Sequence, residues 1–140
     1  MENFVADIIF IDAPASQVFE ALVDPHAMLE WMAATEAEIG AWDDGEYRVT
    51  LEDGTIVEGI VELIKANTEL RLRDVYWGAN DQRHGPSRLQ FQVDERSDGL
   101  WFGVRHEDLD QGERWQSFAE AMRSQWVQRT VALKRYIEGI

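Results

Sequence analysis

Apolar and polar residues along this chain follow two periods: helical spacing at both ends and alternation between them. Residues 3–11 are β-rich and predict a first strand. Asp12-Ala13-Pro14-Ala15-Ser16 then opens a helix, with Asp12 or Ser16 as the capping residue and Pro14 suited to the first turn. Val18, Phe19 and Leu22 share one face of it. Asp24-Pro25 stops the helix, because proline biases its predecessor away from helical geometry. Residues His26 to Met32 predict a short second helix carrying Leu29 and Trp31.

The middle of the chain reads as six strand-like segments joined by tight turns. Asp44-Gly45, Asp53-Gly54 and Asp98-Gly99 each sit between alternating stretches and mark hairpins. Tyr47, Val49 and Leu51 alternate with Arg48 and Thr50. Val57, Gly59, Val61 and Leu63 follow, then Leu70 and Leu72, then Leu89, Phe91 and Val93. Leu100, Phe102, Val104 and His106 share the last face. Period two implies one face toward a core and one toward water. The polar segment from Gly78 to Pro86 predicts a loop.

From about Asp110 the period becomes helical again. Trp115, Phe118, Ala119, Met122, Trp126, Thr130, Leu133 and Ile137 form one stripe, and Gly139 is a plausible stop. Two helices near one end, a meander and a long terminal helix predict an α+β fold. In it, a curved antiparallel sheet of about six or seven strands wraps the last helix.

Composition bounds the function. A chain of 140 residues is one domain long, and 45% apolar content is ordinary for a globular protein. Such a chain buries roughly 68% of the surface exposed when unfolded. Zero cysteines exclude disulfides, thiolate metal sites and cysteine nucleophiles, which fits a cytoplasmic location. No stretch is long enough to span a membrane, and no N-terminal signal peptide is evident. The net charge is −14, and an acidic surface repels phosphate backbones, which argues against nucleic acid. Only Lys65 and Lys134 are lysines. Low lysine with excess acid also occurs in salt-adapted proteins, beside the plainer reading of a soluble acidic protein.

Several segments carry a family resemblance. "IDAPASQVFEALVDPHAMLEWM" at 11–32 resembles an opening motif in which Ala-Pro starts a helix, Asp-Pro ends it and a tryptophan follows. "DGEYRV" at 44–49, "GIVELI" and "ELRLRDVYW" within 59–77, and "VRHEDL" at 104–109 resemble successive strands of the same pattern. "SQWVQRTVALKRYIEG" at 124–139 resembles its final helix. Together they resemble the START-like, helix-grip superfamily, in the branch of the C-terminal domain of activators of the Hsp90 ATPase. The resemblance implies a single helix-grip domain over residues 1–140, usually with an internal cavity. It implies functions ranging over lipid and hormone binding, polyketide cyclisation and co-chaperone activity, so fold alone leaves the function open.

In that fold Tyr47, Phe91, Phe102, Trp115 and Trp126 would line an apolar cavity, with Trp31 at its mouth; Tyr76 and Met122 complete the candidate lining. The same rings would equally serve as plain core. His106, on the inward face with Phe102 and Val104, is either a ligand contact or base near neutral pH, or a structural histidine capping loop backbone. His26 is expected in solvent and His84 in the polar loop. His106, Asp108 and Asp110 alternate, but one histidine among carboxylates falls short of the three or four assembled ligands of a zinc site, so no metal and no cofactor is expected. Glu58 and Glu62 are expected to pair with Arg71 and Arg73 across neighbouring exterior strands.

Three function classes follow. The leading one is non-catalytic binding of a small hydrophobic or amphipathic ligand between the sheet and the last helix. The second is a chaperone-related protein-interaction module, as monomer or homodimer. The third is a cyclase- or hydrolase-like enzyme using His106 with Tyr47 or Tyr76; no catalytic residue is assigned.

Overall fold

The computed structural model describes residues 4–79, 82–107 and 113–139, with backbone only at 113–115. The elements are β1 (Val5–Ile11), α1 (Ala15–Val23), α2 (Pro25–Trp31), β2 (Ala34–Ile39), β3 (Glu46–Leu51), β4 (Ile56–Lys65), β5 (Glu69–Ala79), β6 (Gln82–Arg96), β7 (Gly99–Glu107) and α3 (Glu113–Glu138). The seven strands form one antiparallel sheet in the order β1-β7-β6-β5-β4-β3-β2. β1 therefore pairs with the last strand, and α1 and α2 carry the chain from one edge of the sheet to the other. The curled sheet grips α3, as expected for an α+β helix-grip fold. Among the described residues no helix is long and apolar enough to cross a membrane.

The alternations place the core. Tyr47 and Val49 of β3, Leu70 and Leu72 of β5, Leu89 and Phe91 of β6, and Phe102 and Val104 of β7 are all buried. From α3, Phe118, Met122, Trp126, Thr130 and Leu133 meet them. Each fully buried large apolar side chain contributes about 1.5–3 kcal/mol relative to exposure, so the shared face holds helix to sheet.

Polar contacts fix the helix lengthwise on β1. Thr130 Oγ1 donates to Asp7 Oδ2 at 2.7 Å, and Lys134 Nζ donates to the Phe10 carbonyl at 2.8 Å. Glu138 accepts from Lys134 and from the Asp12 backbone N–H, both at 2.8 Å. α3 stops at Gly139, whose φ of +76° suits glycine and whose N–H reaches the Arg135 carbonyl at 2.9 Å.

Three local expectations are corrected. Neither Asp12 nor Ser16 caps α1: Pro14 holds the N-cap position without a side-chain bond. The side-chain cap belongs to α2, where Asp24 accepts from the His26 N–H at 2.9 Å ahead of Pro25. Segment 78–86 is mostly strand, not loop: β5 runs through Ala79, β6 starts at Gln82, and Trp77 pairs with His84. Gly85 marks close backbone approach inside a strand, since a Cβ there would lie 2.5 Å from the Val75 carbonyl oxygen. Finally, Glu58 and Glu62 pair with Arg83 and Arg88 of β6, reaching across β5. Arg71 instead pairs with Glu69 on its own strand, and Arg73 with Asp44 and Asp74.

Candidate functional site

Inward positions of β5, β6 and β7 converge with the first half of α3 around His106. β7 brings His106, and the register sets it opposite Leu89 of β6. Ser87 lies two residues before Leu89 on the same face, and Trp77 comes from β5. Phe118 and Trp126 descend from α3, two turns apart, with Met122 buried between them. The His106 ring centroid is 5.8 Å from Trp77, 5.9 Å from Phe118 and 6.4 Å from Trp126. His84, which is in β6 and not in a loop, stacks on Phe118 at 4.3 Å.

His106 is wholly buried, and burial pushes its pKa from 6.5 down to about 4, so it is neutral at pH 7. Its Nε2 lies 3.0 Å from Ser87 Oγ, which lies 3.1 Å from the Val75 carbonyl. A carbonyl can only accept, so the single hydroxyl proton goes to Val75. With the hydroxyl proton assigned to Val75, Nε2 carries the ring proton and donates to Ser87, which leaves Nδ1 as a bare acceptor. Nδ1 is buried with no hydrogen-bond partner, as is the Trp126 indole N–H. The buried acceptor and donor therefore sit on neighbouring rings.

Serine and histidine at this distance superficially match a nucleophile and its base. In the tautomer assigned above, Ser87 donates to the backbone and accepts from His106, the reverse of a nucleophile handing its proton to a base. No carboxylate orients Nδ1 among the described residues, which a nucleophile–base relay would require of its third member. Neither tyrosine is paired with His106. The Tyr47 hydroxyl instead meets Met28 Sδ at 3.7 Å beneath α2, and burial raises its pKa above the ordinary value.

The remaining candidates separate into two places. Phe91 and Phe102 stack at 5.9 Å, and Phe91 meets Trp126 edge-on at 5.9 Å, so these rings continue inward from His106. Trp31 meets Phe91 at 6.3 Å and donates its indole N–H to the Ala21 carbonyl at 2.9 Å. It is fully buried, so it is core and not a guard at a mouth. Tyr76 is on the outer face, half-buried, with the Arg83 guanidinium 5.4 Å over its ring. There it borders a groove of about 400 Å³ with Glu38, Glu46, Arg48, Glu58 and Asp74. The side chain of Trp115, and Asp108 and Asp110, lie outside the described residues. Among the described residues no group of three or more metal-ligating side chains is assembled.

Sequence reasoning missed Ser87, Trp77 and Phe118 as neighbours of His106. Extending the Leu89–Phe91–Val93 alternation back by one step reaches Ser87. Trp77 was hidden by a bulge: the β5–β6 register shifts between Leu72 and Val75, and Asp74 has φ +51°. One extra residue moves every later side chain to the other face, turning Trp77 inward and Tyr76 outward.

Comparisons with known proteins agree with this architecture. A protein from Mesorhizobium loti, MLL2253, superposes with a TM-score of 0.80 at 14% identity, covering 96% of each chain. The Aha1 protein of Colwellia psychrerythraea, whose solution structure is a dimer, gives 0.77 at 14% identity and 96% of each chain. DynU16, from a dynemicin biosynthetic locus, gives 0.82 at 18% identity over 99% of this chain and 48% of that one. At these identities the likeness establishes the fold. No curated protein matches the chain in sequence. The model of the family described as Activator of Hsp90 ATPase homolog 1-like protein matches residues 12–138, and this chain belongs to that family, within the START-like superfamily.

Proposed function

We propose that this protein binds a small, largely apolar molecule between the sheet and α3, without chemistry, at the end of the grip where His106 sits. The observation that carries this reading is the clustering of a neutral, buried histidine with Trp77, Phe118 and Trp126. Binding sites for small molecules combine mostly apolar and aromatic walls with a few polar groups that fix orientation. Two polar atoms left unpartnered among buried rings cost stability, on the order of 1–3 kcal/mol each, which a binding role would offset. The absence of cysteine and the acidic surface agree with action in the cytoplasm on a partner other than nucleic acid. A titration panel of apolar and amphipathic small molecules, read by tryptophan fluorescence, tests the proposal. Saturable binding that is lost in Trp77→Ala supports it; a panel without any saturable binder refutes it.

A second reading is favoured by the family match itself: a surface that engages an Hsp90-type chaperone, with this chain as monomer or homodimer. Its test is the ATPase rate of the cognate chaperone. Stimulation or measurable binding at tens of micromolar would support the reading, and neither effect would remove it.

A further inference from the structure

Two unpartnered atoms define what kind of molecule the grip would select. His106 Nδ1 and Trp126 Nε1 are the buried, unbonded polar atoms of two fully buried rings whose centroids are 6.4 Å apart and nearly perpendicular, at 82°. With Nε2 assigned as donor to Ser87, their roles are complementary: Nδ1 accepts and the indole N–H donates. A single oxygen making two hydrogen bonds of about 2.9 Å at an ordinary angle of about 110–120° bridges nitrogens about 4.7–5 Å apart. That oxygen must accept from Trp126 and donate to His106.

The geometry points to a hydroxyl as the anchoring group: the ligand is an otherwise apolar alcohol or phenol whose OH bridges Trp126 Nε1–H and His106 Nδ1. This rests on the ligand-binding reading above and names its ligand class. A carboxylate can accept from Trp126 but sets a second lone pair against Nδ1. Protonating the ring would relieve that clash, but burial among Trp77, Phe118 and Trp126 opposes a charge there. An ether accepts without donating, and a hydrocarbon does neither. A hydroxyl satisfies both rings from a single atom, and the surrounding aromatic walls favour an apolar body behind it.

The test uses three probes of matched shape, 2-naphthol, 2-methylnaphthalene and 2-naphthoate, with the full chain carrying ¹⁵N-labelled tryptophan. The expected result is binding of 2-naphthol about tenfold or more tighter than of 2-methylnaphthalene, with 2-naphthoate the weakest. The Trp126 indole N–H resonance should move downfield with 2-naphthol and not with 2-methylnaphthalene, a readout that needs no variant. Trp126→Phe, which keeps an aromatic ring and removes the donor, should erase most of the preference for the hydroxyl. Equal affinity for 2-naphthol and 2-methylnaphthalene, or a preference that survives Trp126→Phe, overturns the hydroxyl anchor while leaving ligand binding intact. Binding of none of the three overturns the anchor too, and shifts the question back to whether the grip holds a ligand at all.

Discussion

The Thr130 hydroxyl donates a 2.7 Å hydrogen bond to the Asp7 carboxylate, joining the middle of α3 to the edge strand β1. Asp7 interrupts an otherwise apolar strand because its inward position faces this one polar residue on the helix stripe. Thr130→Val should cost about 1–2 kcal/mol, since it strips a half-buried carboxylate of its donor. Asp7→Asn keeps an acceptor and should cost less. Urea denaturation of both variants measures the difference, and an Asp7→Asn loss as large as that of Thr130→Val would show that a neutral acceptor cannot replace the carboxylate.

Trp126 is fully buried and touches Phe91 and Trp77 edge-on at 5.9 and 5.5 Å. Trp126→Ala should therefore destabilise by about 3–5 kcal/mol through lost contacts and the cavity left behind. A loss below about 1 kcal/mol in a denaturant titration would mean the ring is not packed between helix and sheet.

Burial lowers the His106 pKa to about 4, so the unfolded chain takes up its proton first as pH falls. The contribution is fully present above about pH 6.5 and is lost progressively toward pH 4, to the extent of roughly 3 kcal/mol. Among the described residues the groups facing it, Ser87, Trp77, Phe118 and Trp126, are uncharged. The stability of His106→Gln should fall less steeply than wild type between pH 6.5 and 4, by about one proton in slope. Identical slopes would place a charged or solvated histidine there.

The β5 bulge assigns neighbouring aromatic residues to opposite faces, and ligand binding should follow that assignment. Trp77→Ala should abolish or strongly weaken the binding of any molecule held near His106. Tyr76→Ala should leave affinity unchanged, because its ring lies on the outer face of the sheet under the Arg83 guanidinium. Titrations of one confirmed ligand against both variants decide this, and a larger effect from Tyr76 would reverse the faces.

Much of this fold was legible because period-two and helical stretches were long and clean. Leu89, Phe91 and Val93 opposite Phe102 and Val104 needed only alternation, and α3 spans 113–138 as its stripe predicted. What failed were features that break periodicity locally. The bulge near Asp74 hid Trp77 and promoted Tyr76, and glycine and proline near Gly85 suggested a loop where two strands pair closely. Partner choice was also illegible. Glu58 and Glu62 reach past the adjacent strand to β6, because long arginine side chains can cross a whole strand. His106 stood out from its place on the last inward face, but Ser87 as its partner depends on register, which no single strand encodes.

The most direct test of the central claim is native mass spectrometry of freshly purified protein, followed by solvent extraction and identification of what is released. The expected spectrum holds a population heavier than the 140-residue chain by one small organic molecule, lost on extraction and bearing an apolar body. The Trp77→Ala protein should carry none. A spectrum showing only the bare chain, combined with no saturable binding across the probe panel, would contradict the claim that this grip holds a ligand.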